Sequence, residues 1–399
     1  MPHSTYLIIG GGMTADSAIS GIRQVDAKGS INLVSLEPYL PYNRPPLSKG
    51  LWKGDPIESI WRKTVNQDTH SYLGHEILKL DLRTKSATDE QGTVYSFDKL
   101  LLATGGRPRK FSFKSDRIIY FRTLSDYELL RKIAKQGERF AVIGGGFIGS
   151  EIAAALAMNK KEVVMVFPGK TMGDRIFPSD LGEYLNAYYQ KKGVRVLTEA
   201  SAVGLGENDN GKFILKIRKE NNPETEEIEV NGVVAGIGIQ PNIELAQSAG
   251  LKIEKGIWVD ELLRTSYPDV YSAGDVAAFY NPALDLRIRK EHEDNANKMG
   301  EVAGRNMAGH SEPYHHLPFF YSDLFDLGYE AVGELDSKFE IVADWKELYQ
   351  KGILYYLQSG RVRGILLWNS WGLVDRARKL IAERGPFKPD QLIGRLSET

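Results

Sequence analysis

Two stretches of this sequence repeat one pattern of chemistry. Gly10-Gly11-Gly12-Met13-Thr14-Ala15 follows the apolar run Leu7-Ile8-Ile9, and Gly144-Gly145-Gly146-Phe147-Ile148-Gly149 follows Ala141-Val142-Ile143. In each, Gly10 or Gly144 permits a tight turn and Gly12 or Gly146 lets a pyrophosphate approach the backbone. Ala15 or Gly149 is small enough for a helix to pack on a strand. The helix that opens at Met13 or Phe147 turns its first N–H groups toward the phosphates. The copies are 134 residues apart, which means two related domains rather than a solenoid.

Three further signals lie at the ends of apolar runs. Glu37, after Leu36, stands 25 residues beyond Gly12 at the end of the second strand, where an acid can bond ribose hydroxyls. Ala103-Thr104-Gly105 lets backbone pass close beside a ligand. Gly274-Asp275 ends the run Val270–Ala273 before an expected helix, where Asp275 either caps that helix or accepts from ribityl hydroxyls. Two dinucleotide sites in one chain point to a flavin and a nicotinamide nucleotide, FAD with NADH or NADPH.

Composition narrows the chemistry. The 399 residues contain no cysteine, so disulfide exchange, thiolate catalysis and cysteine-ligated clusters are excluded, and no metal-ligand set stands out. Lys plus Arg is 51 against 52 for Asp plus Glu, which gives no electrostatic reason to expect nucleic acid or anionic membrane. Met1 runs almost at once into the strand Tyr6–Ile9, which leaves no room for a leader, so the expected compartment is the cytoplasm. The most apolar window, Phe140–Met158, holds four glycines and Glu151 and reads as a strand and helix, not a membrane span.

The elements that must position these residues follow from periodicity and turn chemistry. Strands are expected at Ile31–Leu36, Lys99–Ala103, Glu162–Phe167 and Val233–Ile237, and helices at Asp180–Lys192 and Leu373–Glu383. A hairpin turns near Asp89–Gly92, and exposed turns fall at Asn208–Gly211 and Asn221–Thr225. From about Tyr314 the glycine turns give way to short alternating strands. The fold class is α/β: two Rossmann-like domains and a small C-terminal α+β domain.

The chain resembles the flavoprotein reductases of the ferredoxin and putidaredoxin reductase kind, including apoptosis-inducing factor. Tyr42-Asn43-Arg44-Pro45-Pro46-Leu47-Ser48-Lys49, Gly144 to Glu151, Gly328 to Gly333, Lys351 to Leu357 and Leu366-Leu367-Trp368-Asn369 carry the resemblance. It implies FAD on residues 1–110 and 238–312, the nicotinamide nucleotide on 111–237 and an interface domain at 313–399. It sets Arg44 and Arg109 near the FAD phosphates and Lys49 at flavin N5. Leu36, Ile77, Asp275, His292 and Tyr321 border FAD, and Phe147, Ile148, Glu151, Gly238, Glu291, Glu330 and Asn369 border the nicotinamide nucleotide. Phe147 covers the flavin face, and Lys49 pairs with Glu151. Read from the residues alone, Arg44 and Lys49 are a solvated basic patch, and Trp368 and Trp371 are packing.

The departures carry their own expectations. Tyr321 stands where relatives carry Trp. The acid after the second nucleotide strand is missing at Gly169, so NADPH is expected to be used at a rate comparable to NADH or better, with Lys170 or Arg175 meeting its phosphate. The expected activity is hydride transfer from NAD(P)H to flavin, then electron delivery to a small iron–sulfur protein, a quinone or oxygen, by a monomer or homodimer. The alternative is a redox sensor that holds a long-lived flavin–nicotinamide complex and changes partners when reduced.

Overall fold

The computed structural model describes residues 2–63, 68–113, 115–220 and 222–396. Asn221, at the head of one expected turn, lies outside them. The chain divides into two compact units, one of residues 1–44, 57–107 and 240–320, the other of residues 45–56, 108–239 and 321–399. The sequence reading draws three domains; here 108–239 and 321–399 share a unit, and Pro45–Pro56 belongs with them.

In the first unit four strands run parallel in the order Thr69–Leu73, Ile31–Ser35, His3–Ile9 and Val94–Leu102. Val270–Ser272 adds in parallel to the last of these, and the antiparallel pair Ser86–Asp89 and Ile77–Asp81 extends the sheet. The carboxyl portions of the two central strands are continuous apolar runs, as strand segments covered on both faces must be: Leu7, Ile8, Leu100, Leu101 and Leu102 are all fully buried. Register aligns Ile9 with Val34 and Leu102, and Leu102 with Ser272. The Gly10 turn, Glu37, the Ala103 turn and Gly274-Asp275 therefore leave the sheet at one carboxyl edge, where ligands bind in open α/β sheets.

Helices Met13–Val25 and Glu293–Met307 pack almost backbone to backbone. A Cβ on Gly21 would lie 2.1 Å from the Glu301 carbonyl oxygen, one on Gly300 2.3 Å from that of Thr14, and one on Gly304 2.0 Å from that of Ala18. Asp275 leads not into a helix but into a short 3₁₀ turn, Gly274–Val276, and then the strand Ala277–Asn281. Gly274 sits in the left-handed region (φ +79°), and the residues after it, Val276 to Phe279, are buried apolar ones suited to a strand.

The second unit repeats the scheme. Five parallel strands run in the order Val194–Leu197, Glu162–Val166, Arg139–Ile143, Gly232–Ala235 and Ile118–Tyr120. The helix Phe147–Met158 is apolar nearly all round and buried through most of its length, so its one acid, Glu151, is buried with it. An antiparallel sheet, Ala200–Glu207, Phe213–Lys219 and Thr225–Val230, packs on the parallel sheet. The C-terminal portion is a five-stranded sheet with Val374–Ala382 packed on strands Leu327–Gly333 and Arg361–Trp368.

Candidate functional site: two dinucleotide cradles and a buried lysine–glutamate pair

The two glycine turns are conformational copies. Gly10 and Gly144 have φ +114° and +118°, and Cβ atoms there would lie 2.2 Å from the Ala103 carbonyl oxygen and 2.4 Å from that of Gly236. Both positions thus demand glycine twice over, for conformation and for space. The N-caps Gly12 and Gly146 are equally alike (φ −93°, ψ −169° and φ −89°, ψ −170°), and neither helix start has a side-chain cap. A Cβ on Gly12 or Gly146 would meet nothing within 4 Å, so both helix N-termini open onto free space. Uncapped first-turn N–H groups beside open space suit a pyrophosphate in both units. The third small positions fit as well: Ala15 is fully buried, and a Cβ on Gly149 would lie 2.0 Å from the Gly144 carbonyl oxygen.

Around the first cradle, Gly274 comes against Thr14, its Cβ position 2.3 Å from Thr14 Oγ1. Asn242 pins the Ala103-Thr104-Gly105 turn: its Nδ2 donates to the Thr104 carbonyl (2.8 Å), its carbonyl accepts from Thr104 Oγ1 (2.8 Å) and its N–H donates to Gly105 (3.0 Å). Nothing in the sequence singles out Asn242. Glu37 accepts from Tyr42 Oη (2.5 Å) and from Arg44 Nη2, and the Arg44 guanidinium also lies over the Tyr42 ring at 5.1 Å. Arg44 is thus tied to Glu37, not a member of a solvated patch. The carboxylate keeps lone pairs for a ribose, since two donors do not exhaust it.

Leu36 is 65% exposed at the end of its strand, whereas Ile77, expected to border FAD, is buried in the core. His292 caps the helix Glu293–Met307 and stacks on Phe320 at 4.5 Å. Burial, aided by the charge of Lys290, pushes its pKa down to about 3, so it is neutral. Glu291 pairs with Arg289 at 2.5 Å.

The second unit holds the chemistry most dependent on geometry. Pro45–Ser48 forms a 3₁₀ turn and Gly50–Lys53 a short helix. Trp52 anchors this segment: its Nε1 donates to Leu47, its carbonyl accepts from Asn159 Nδ2 (3.1 Å), and Arg131 lies over its ring. Lys49, at the N-cap of the short helix, extends Nζ to 2.7 Å from Glu151 Oε1 and lies 4.9 Å from the Tyr321 ring centre. The side chains are 12% and 4% exposed. The pair is internal to this unit, because the segment carrying Lys49 belongs to it.

Two hydroxyls complete the acceptor shell of Glu151. Ser48 Oγ donates at 2.5 Å and Ser322 Oγ at 2.7 Å. Neither serine is apparent as functional in the sequence, though each adjoins a residue singled out there, Lys49 or Tyr321. Burial, and after it the charge on Glu151, push the Tyr189 and Tyr329 hydroxyls up, so both stay protonated beside it. Phe147, the first residue of its helix, is 37% exposed, and its ring lies 6.5 Å from that of Tyr329.

Gly238 (φ +100°) accepts from the Arg109 N–H at 2.9 Å, and the exposed Arg109 guanidinium reaches the Ile239 carbonyl at 3.4 Å. Asn369 spends its amide on the sheet, accepting from Gly328 N–H (2.7 Å) and donating to the Gln350 carbonyl (2.8 Å). Glu330 keeps one carboxylate oxygen buried without a hydrogen-bond partner, and burial raises its pKa. Gly169, where an acid is missing, is not bordered by empty space: the Asp174 carboxylate lies over it.

Comparison with known proteins agrees with this arrangement. Residues 4–300 match the family described as pyridine nucleotide-disulphide oxidoreductase, and residues 303–348 and 343–383 match the C-terminal region of apoptosis-inducing factor. The chain is 35% identical to apoptosis-inducing factor 1, mitochondrial, of Dictyostelium discoideum, across 95% of this chain and 78% of that one. It is 31% identical to the ferredoxin–NAD(+) reductase component of the anthranilate 1,2-dioxygenase system of Burkholderia cepacia, across 98% and 97%. The structure of putidaredoxin reductase in covalent complex with putidaredoxin superposes with a TM-score of 0.90 at 27% identity, covering 98% of this chain and 96% of that one. The cradles are those of FAD and NAD(H), and the chain belongs to the pyridine nucleotide-disulphide oxidoreductase family, although its own sequence has no cysteine with which to form a disulphide.

Proposed function

We propose that this oxidoreductase takes electrons from NADH into FAD and delivers them to a small iron–sulfur electron carrier. The observation that carries the proposal is the pairing of two dinucleotide cradles with a complete absence of cysteine. With no dithiol relay on the chain, electrons accepted from the nucleotide must leave by way of the flavin. FAD, when bound, supplies the exchange between two-electron and one-electron chemistry.

The chain's own residues bind, orient and shield. The helix starts at Gly12 and Gly146 hold the pyrophosphates, and Glu37, itself held by Tyr42 and Arg44, accepts from a ribose. Lys49 is the residue that the family pattern sets at flavin N5, where a positive charge favours the reduced, anionic ring. Glu151 with Ser48 and Ser322 fixes that ammonium in place. Phe147, 37% exposed at the head of its helix, is the residue that the family pattern sets over the flavin face, where its ring would exclude water. Support for an iron–sulfur acceptor comes from the reductase of Burkholderia cepacia and from putidaredoxin reductase, each named for such a partner.

The test is anaerobic stopped-flow mixing of the FAD-loaded protein with NADH, followed by oxidised ferredoxin, a quinone or oxygen. Flavin bleaching followed by fastest reoxidation with the iron–sulfur protein is the expected result; fastest reoxidation by quinone or oxygen refutes the carrier. The match to the C-terminal region of apoptosis-inducing factor favours a second reading, a redox sensor. A reduced complex that persists in air and shifts the protein's size in solution would select it.

A further inference from the structure

In a site of this topology an acid just past the second strand bonds the adenosine ribose hydroxyls and repels a 2′-phosphate. Here the strand Glu162–Val166 leads to Phe167-Pro168-Gly169, and no acid stands at 169. That side-chain volume is nevertheless filled. A Cβ on Gly169 would lie 2.2 Å from Asp174 Oδ2, 2.8 Å from its Cγ and 3.4 Å from Oδ1. The carboxylate of Asp174 thus sits where a side chain at 169 would begin.

The loop that brings it there is fastened at both ends. Gly173, in the left-handed region at φ +64°, donates its N–H to the carbonyl of Gly145 in the phosphate-binding turn itself (3.0 Å), and Phe167 packs under Gly145. Ser337 holds the other side, its Oγ donating to the Asp174 carbonyl (2.6 Å) and its N–H to the Arg175 carbonyl (3.0 Å). Among the described residues the Asp174 carboxylate itself has no hydrogen bond or ion pair, and the residue is exposed. A carboxylate held beside the phosphate turn with its lone pairs unused is an acceptor for a hydroxyl pair.

We propose that Asp174 is the specificity-determining acid of the nicotinamide nucleotide site. It replaces from the following loop the acid absent at 169, accepts from the adenosine ribose and excludes a 2′-phosphate. The expectation of NADPH use built on a vacant 169 loses its premise, and NADH becomes the preferred donor despite Lys170 and Arg175 nearby in sequence. The inference rests on reading the second glycine turn as the nicotinamide nucleotide site.

The experiment is titration calorimetry of the oxidised, FAD-loaded protein with NAD+ and with NADP+, which needs no turnover. The parent should bind NAD+ more tightly. Asp174→Asn should weaken NAD+ binding by about tenfold, the size of one charge-assisted hydrogen bond, and should collapse the preference over NADP+. Gly169→Asp introduced into Asp174→Ala should restore the preference. Truncation of Asp174 clears the space, and Gly169 lies outside the left-handed region, so it accepts a side chain. Equal or tighter NADP+ binding by the parent overturns the proposal, as does an unchanged ratio in Asp174→Asn. A parent that binds neither nucleotide overturns the nucleotide-site reading and the proposal together, whereas undiscriminating binding of both sinks only the role of Asp174.

Discussion

Glu151 is buried on an otherwise apolar helix, and three donors converge on it: the Lys49 ammonium and the Ser48 and Ser322 hydroxyls. Burying a charge is tolerable only when it is paired and hydrogen-bonded, so the group behaves as one unit. Lys49→Ala or Glu151→Ala should each cost about 3–5 kcal/mol in chemical denaturation, because either leaves its partner's charge uncompensated. The double substitution should cost clearly less than the sum, as contacting groups couple. Reduction by NADH should slow in Lys49→Ala, whereas Glu151→Ala should retain FAD and alter nicotinamide handling. Simple additivity in both readouts would show that the pair does not act together. Ser322→Ala should cost about 1.5–3 kcal/mol, the range for a hydrogen bond to a charged acceptor, with FAD content unchanged.

Each cradle depends on helices that approach backbone closely. Gly304 is the tightest contact of the pair Met13–Val25 and Glu293–Met307, and Gly304→Ala must push them apart. We expect a loss of about 1–3 kcal/mol in unfolding free energy and weakened FAD retention, read from the flavin released on gel filtration. Gly149→Val should do the same to the nucleotide side, with FAD kept and NAD+ binding lost. The glycine turns were legible in the sequence because glycine spacing is a local signal: φ, close approach and small-residue packing are all imposed within six residues. The Lys49–Glu151 pair was legible only through family resemblance, since nothing local says that a segment before residue 56 packs against the helix Phe147–Met158. Asn242, Ser48 and Ser322 were not legible, because a single polar residue gains its role only when the fold brings it to a turn or a buried charge. Asp174 was missed for the same reason. Its carboxylate fills a gap five residues back along the chain, and sequence shows the gap without its filling.

At the scale of the whole molecule, pH and cofactor act on global stability. His292 has its pKa pushed down to about 3 in the folded state, against about 6.5 when unfolded. As pH falls below 6.5 the unfolded chain takes up a proton that the folded chain refuses until about pH 3. This residue's contribution is therefore fully present above 6.5 and is lost through that window. Its share of the slope is on the order of 1 kcal/mol per pH unit. Denaturation midpoints between pH 5 and 7 should fall less steeply in His292→Phe, which keeps the stack on Phe320; parallel slopes would remove the histidine from the account. Stripping FAD should lower the thermal midpoint, and restoring it should raise the midpoint with concentration, since a ligand held by the folded state alone stabilises by mass action. Thiol-alkylating reagents should change nothing, there being no cysteine.

The segmented course of the chain also sets an order of assembly. The strand Val94–Leu102 receives its neighbour Val270–Ser272 only after the intervening residues have been made, and the helix Met13–Val25 waits for Glu293–Met307. On the ribosome, the first glycine turn emerges among the earliest residues yet remains unsupported until the chain has passed Met307. Meanwhile the carboxyl half of Val94–Leu102 offers an unpaired edge, a template for wrong strand pairing. Flavin capture is therefore a late event in biosynthesis, and polypeptides interrupted before residue 270 should emerge colourless and dependent on chaperones for solubility. Neither unit can be expressed as one contiguous fragment, so any dissection of this enzyme must rejoin its segments in a new order.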